Sequence, residues 1–262
     1  MNNESIKKSV LYSKSELFPD FLFKVRYDER LRCGSILELK DSKSGSIASF
    51  NSTIPTTYKT LEEIDIINGG RSLVSKIAKL MDSEVVEEIG FDEYYTFQRR
   101  CFYLVRTHRD NTNRVKVSIV DGSFFETVPR EHLIYQMFLQ ILREHIEKKN
   151  IEIDPKVLKE VEKVLSYITD QTIIAGSKLI EKASIKPRLR IMAEVHPEGN
   201  PHSKHYPIRG RTFNLIVKKS RASDELEQEL SKLPIRIFSI HHKRNGEHVV
   251  FQYDLFCKNL KD

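Results

Sequence analysis

Two apolar runs near the start of the chain limit the fold more than any other stretch. Leu17-Phe18-Pro19-Asp20-Phe21-Leu22-Phe23-Lys24-Val25 and Ser35-Ile36-Leu37-Glu38-Leu39-Lys40 are rich in β-formers, and a charged segment with a glycine joins them. They read as the two strands of an antiparallel hairpin. Side chains alternate along a strand, so Glu38 and Lys40 point to one face and Leu37 and Leu39 to the other. Asp20 opens the partner strand and reaches the Glu38 face if the hairpin pairs in direct register. Two carboxylates gathered on a half-buried sheet repel each other and lose hydration, unless a divalent cation lies between them. The hairpin therefore predicts a metal site.

Pro19-Asp20 followed by Glu38-Leu39-Lys40 resembles the PD-(D/E)xK signature of the restriction-endonuclease-like nucleases. The resemblance covers residues 17 to 41. It implies an α/β fold with a mixed β-sheet flanked by helices, and an Mg²⁺-dependent endonuclease, most like a type II restriction enzyme that cuts double-stranded DNA at a short sequence. It further implies that Asp20, Glu38 and the backbone carbonyl of Leu39 hold Mg²⁺, and that Lys40 orients or activates the attacking water. Oxygen ligands with open water positions suit that ion. In the family a helix and a first strand precede the aspartate strand. Only a short helix or strand around Ile6 to Leu17 has room to do so here.

Length and composition fit such an enzyme. The chain has 262 residues, 39% hydrophobic and 31% charged, which is enough for one sizeable core or a core with a smaller lobe. The expected organisation is a single nuclease domain over residues 1–262. Met1 to Lys8 lacks the apolar core of a signal peptide, and no segment is apolar for long enough to cross a bilayer, so a cytoplasmic protein is expected. Cys33, Cys101 and Cys257 are odd in number, far apart and without metal-binding spacing, which fits a reducing compartment. A formal net charge of +6 leans towards a polyanionic partner.

Beyond the hairpin, Asp41 to Pro55 is a loop of hydroxyl, amide and lysine side chains, and Lys43 and Asn51 are its candidate DNA contacts. It lacks the paired glycines of a nucleotide-binding loop. Asn68-Gly69-Gly70 leads into an amphipathic helix over Arg71 to Met81. Cys101–Arg106 and Val115–Val120 read as strands. Apolar stripes from about 129 to 183 predict a helical subregion, with Asp154-Pro155 opening one helix. Its apolar faces suit either a lobe or a contact between subunits.

Arg188 to Val195 reads as a strand, followed by an irregular loop to Arg211. No acidic residue occurs from Gly199 through Ser223. Lys204, His205, Arg209 and Arg211 are the DNA-binding candidates there, arginine because its fork can contact guanine with two bonds. His196, His202 and His205 lack the cysteines or carboxylates of a zinc site, although a histidine acting as general base would be a rival mechanism. A strand at Phe213–Lys218, a helix at about 224–233 and a hairpin over 234–256 around Asn245-Gly246 close the chain. Val249, Phe251, Tyr253 and Leu255 share one face, expected to anchor that hairpin. A homodimer is expected from the symmetry of most short duplex sites. A repair or junction-resolving nuclease of the same fold, or a DNA-binding protein without catalysis, would share many of these features.

Overall fold

A computed structural model describes residues 10–12, 17–28, 31–43, 49–51, 55–70, 73–108, 115–125, 130–168, 192–194 and 199–255. The chain divides into two compact units, one of residues 1–126 and 192–262 and the other of residues 127–191.

The first unit is built on a mixed β-sheet. Its strands are β1 (Val10–Tyr12), β2 (Phe21–Phe23), β5 (Ser35–Ser42), β8 (Arg99–Thr107), β9 (Lys116–Asp121), β11 (Thr212–Lys218), β13 (Gly246–Asp254) and β12 (Arg236–His242), in that spatial order, and β7 (Tyr58–Lys59) pairs with β8 beside this path. The opening hairpin is present: β2 and β5 are antiparallel with Phe21 opposite Leu37 and Leu22 opposite Ile36. Its connection is not a simple turn, because β3 (Arg26–Asp28) and β4 (Leu31–Cys33) form a separate small ladder inside it. A strand, β1, does precede the aspartate strand and pairs with it. β5 and β8 are parallel, β8 and β9 antiparallel, and β9 and β11 parallel. β6 (Ser49–Asn51) pairs with β10 (Met192–Glu194) in a third, two-stranded sheet.

Helices α1 (Leu61–Ile67), α2 (Leu73–Met81), α3 (Ser83–Ile89) and α4 (Phe91–Thr96) follow β7. α1 opens on a capping box in which the Thr60 hydroxyl accepts from Glu63 N and the Glu63 carboxylate accepts from Thr60 N. Leu61, Ile64, Val74, Ala78, Val85 and Tyr94 from these helices join Leu22, Ile36, Cys101, Tyr103, Val105, Val120 and Ile216 from the strands in one buried cluster. Of these four helices only α2 is expected from the sequence, and its Leu80 is 77% exposed rather than packed. A short helix, α5 (Gly122–Phe125), caps β9, and α8 (Arg221–Leu230) joins β11 to β12.

Cross-strand partners share a face. The more buried face of the sheet therefore carries Ile36, Cys101, Tyr103, Val105, Ser118, Val120, Asn214, Ile216, Val250 and Gln252, with the part-exposed Glu38 and Lys40 on its β5 side. This face is unusually polar towards one end. In the closing hairpin Val249 and Phe251 are buried as expected, but Tyr253 and Leu255 are both 41% exposed.

The second unit contains α6 (Arg130–Lys148) and α7 (Pro155–Leu165). The Asp154 side chain accepts from Lys156 N, and Pro155 occupies the first turn, the start signal that the sequence carries. Arg143 pairs with Glu162 between the two helices. The rest of the expected helical subregion, 169–183, and most of the 188–195 strand lie outside the described residues.

Candidate metal and nucleic-acid site

The segment carrying Asp20 is clamped at both ends. Asn68, at the end of α1, accepts from Phe18 N at 2.9 Å and donates its amide to the Phe18 carbonyl at 2.8 Å. Asp82, ahead of α3, accepts from Val25 N at 3.1 Å and from the Tyr94 hydroxyl at 2.6 Å. Both clamping side chains are buried. Burial raises the Asp82 carboxyl above the usual range, against the hydrogen bonds from Tyr94 and Val25. Arg99, with no exposed surface, stacks over the rings of Tyr94 and Phe97 behind this clamp. These polar contacts fix where Asp20 stands relative to β5.

The register of β2 against β5 places Asp20 opposite Glu38, one residue beyond the last ladder pair. The two are directly connected: Asp20 N donates to Glu38 Oε2 at 3.2 Å, and Leu39 N donates to Asp20 Oδ2 at 2.7 Å. In a strand the carbonyl of a residue turns to the same edge as its N–H. The Leu39 carbonyl is thus directed to the edge where Asp20 lies. Lys40 Nζ donates to Glu38 Oε1 at 2.8 Å, and the side chains of Lys40 and Glu38 are 18% and 13% exposed. The three side chains named from the sequence are brought together on one face.

The electrostatics of the cluster follow from that geometry. Burial pushes the Glu38 carboxyl above its ordinary value, and the neighbouring Asp20 charge adds to the rise; Lys40 opposes both by its charge and its hydrogen bond. Hard oxygen donors in this state suit a divalent cation, and Mg²⁺ characteristically binds through one or two carboxylates while keeping several waters. Among the described residues no group of three or more His, Cys, Asp or Glu side chains that could hold a metal ion gathers.

Tyr103 is the cross-strand neighbour of Glu38 on β8 and is fully buried. Its hydroxyl accepts from Thr56 N at 3.2 Å. The chain returning from the polar loop after Lys40 is thereby tied to the residue beside Glu38.

The remaining candidates are placed as follows. Lys43 is exposed, just past the end of β5. Asn51 pairs with Met192 in the small β6–β10 ladder, and its side chain lies outside the described residues. Lys204, His205, Arg209 and Arg211 are all exposed on the 199–211 loop. That loop enters β11 at the end of the sheet where β5 leaves it: Ser42 pairs with Thr107, Thr107 with Lys116, and Arg211 N donates to the Val115 carbonyl at 3.0 Å. The basic loop and Lys40 thus share one end of the sheet, separated by β8 and β9. Arg211 adopts a positive φ of 61°, held between Val115 and Leu255, whose N–H donates to the Arg211 carbonyl.

No protein-family model, curated protein or solved structure matches the chain. Among the described residues, no helix is long and apolar enough to cross a membrane.

Proposed function

We propose that the chain is an Mg²⁺-dependent endonuclease of the PD-(D/E)xK type, hydrolysing phosphodiester bonds of double-stranded DNA at a specific short sequence. The observation that carries this reading is the meeting of Asp20, Glu38 and Lys40 on one half-buried sheet face, with the two carboxylates joined through the Asp20 backbone. Such an arrangement is electrostatically unfavourable without a cation, and an isolated surface hairpin would have no reason to keep it. The order β1-β2-β5-β8, with a strand before the aspartate strand and helices after the glutamate strand, supports the same reading.

Asp20, Glu38 and the Leu39 carbonyl would hold the ion. Mg²⁺ in such a site supplies Lewis acidity to a phosphoryl oxygen and lowers the pKa of a coordinated water. Lys40 sits on the Glu38 side of the pair, where its ammonium can orient that water and balance charge developing on the phosphate. The 199–211 loop offers exposed arginines, a lysine and a histidine at the same sheet end, suited to holding the duplex backbone and base edges. Cutting both strands of a symmetric site calls for two such centres, so the proposal includes a homodimer.

The test is cleavage of plasmid DNA in Mg²⁺. Wild type should cut, and Asp20→Ala or Lys40→Ala should lose activity by about a hundredfold or more. Equal cutting by either variant would remove the site assignment. Discrete fragments from a DNA of known sequence would support a restriction enzyme; cleavage dependent on junctions or lesions, without fixed bands, would support a repair or junction-resolving nuclease.

A further inference from the structure

The apolar surface of α7 is wider than the side it turns to α6. Side chains along a helix rotate by about 100° per residue. Leu158, Glu162 and Leu165 therefore share one side of α7, where all three are part-buried. The pair that Glu162 forms with Arg143 places α6 on that side. Val157, Val161 and Val164 stand about a quarter-turn further round. Val157 is 52% exposed and Val164 is 63% exposed, and no residue of α7 is buried. The three valines line an open trough of about 400 Å³, edged by Lys156 and Glu160. Contiguous apolar side chains left in water on a surface helix mark a place where another surface docks.

The charges along the edge point to the occupant. Lys156 and Glu160 lie one helical turn apart, on the same side of the valines. Across a two-fold axis two α7 helices run antiparallel, and every contact from i to j is repeated from j to i. With the axis beside Leu158 and Lys159, Lys156 of each copy comes opposite Glu160 of the other. The same register sets Val157 of each copy against Val161 of the other. It also lays Val164 over the segment leading into the other helix, where Ile151 is half-exposed. A partner surface of one charge sign matches only one edge residue; a reversed copy of the same helix matches both.

We propose that the Val157, Val161 and Val164 face of α7 is a self-association surface, occupied by the same face of a second copy of this chain. The nuclease reading calls for a homodimer through the symmetry of duplex sites. The place of the contact rests instead on the trough and its two charges, and needs no cleavage. A helix of 11 residues is about 16 Å long. The contact is therefore small beside a standard interface, and the dimer dissociates on dilution through the micromolar range.

The experiment measures the mass of the full chain by sedimentation equilibrium across that range. Wild type should pass from monomer to dimer as concentration rises. Lys156→Glu and Glu160→Lys should each weaken self-association about tenfold or more, because each sets like charges together twice. Mixing the two variants should restore dimers, and so should the double variant Lys156→Glu/Glu160→Lys. Val157→Glu, at an exposed position in the first turn where an acidic side chain suits the helix, should abolish the dimer without lowering the melting temperature of the monomer. A wild type that stays monomeric throughout overturns the proposal, as does a dimer that tolerates both charge reversals and Val157→Glu. A lower melting temperature for monomeric Val157→Glu sets this face against its own chain, which also overturns it. Dimers that do not cleave DNA leave this inference standing and remove the nuclease reading; cleavage by a chain that never dimerises does the reverse.

Discussion

Gly122 lies so close to Thr56 that a Cβ at position 122 would fall 1.9 Å from the Thr56 carbonyl oxygen and 3.0 Å from that of Cys101. This approach, together with the bond from Thr56 N to the Tyr103 hydroxyl, fixes the chain returning from the loop after Lys40 against the strand beside Glu38. Gly122→Ala has no flexible neighbour to displace, since both obstacles are backbone. It is expected to cost about 2 kcal/mol or more and to reduce DNA cleavage beyond what the lost stability explains. Thermal melting and cleavage rates below the melting range check this together.

Glu38 gives a prediction about metal and stability. Its raised carboxyl means that the folded chain binds this proton more tightly than the unfolded chain. Without divalent metal, the group therefore costs stability above its folded value, and that cost is relieved as pH falls towards the ordinary carboxylate range. Glu38→Gln should melt no lower than wild type in EDTA at neutral pH. Saturating Mg²⁺ or Ca²⁺ should stabilise the wild type by about 3 kcal/mol at a hundredfold excess over the dissociation constant, raising its melting temperature, and should leave Glu38→Gln nearly unmoved. An equal metal response in both would exclude Glu38 as a ligand.

The clamp on the aspartate strand should separate placement from chemistry. Asn68→Ala removes both bonds to Phe18, and Asp82→Ala strips partners from Val25 N, the Tyr94 hydroxyl and the neighbouring Arg99 charge. Removing Asp82 leaves a buried N–H and a buried hydroxyl without their acceptor, for an expected loss of about 3 kcal/mol or more. Asn68→Ala should lose about 2 kcal/mol. In Asn68→Ala, metal affinity read by calorimetry should fall although every proposed ligand remains.

His248 sets a pH dependence away from the metal. It has no exposed surface; its Nδ1 is 3.2 Å from the Gly246 carbonyl and its Nε2 is 3.2 Å from Ser123 Oγ, contacts that a neutral ring satisfies by donating at the first and accepting at the second. Burial lowers this imidazole to about 4. The unfolded chain takes up the proton first, so the stabilisation is complete above the ordinary histidine value of 6.5 and is lost as pH falls from there towards 4. At about 1.4 kcal/mol per pH unit, the loss over this window is about 3 kcal/mol. His248→Gln should flatten the acid limb of a chemical-denaturation series between pH 6.5 and 4; an unchanged limb would place the titration elsewhere.

Asp20, Glu38 and Lys40 were legible in the sequence because strand alternation alone puts Glu38 and Lys40 on one face, and a single register brings Asp20 opposite. The β9 strand was legible as a strand but not in its orientation. Lys116 and Ser118 alternate with Val115, Val117 and Ile119, a pattern that ordinarily sends the polar set to water, yet Lys116 and Ser118 are on the buried face. Partners nearly a hundred residues away, Asn214 above all, make that face tolerable for Ser118, and no local window contains them. The same holds for Asn68. In sequence it is part of an Asn-Gly-Gly turn; in the fold its amide is spent on Phe18, fifty residues earlier.

The pairing of Val117 with Phe213 has a bearing on how the chain is made. During synthesis β9 leaves the ribosome with one edge lacking its neighbour, and the whole second unit has to emerge before β11 can fill the gap. For that interval the nascent sheet offers an open row of backbone donors and acceptors to any other extended segment. A chaperone that shields strand edges should therefore raise the yield of folded protein more than one that only slows aggregation of the finished chain.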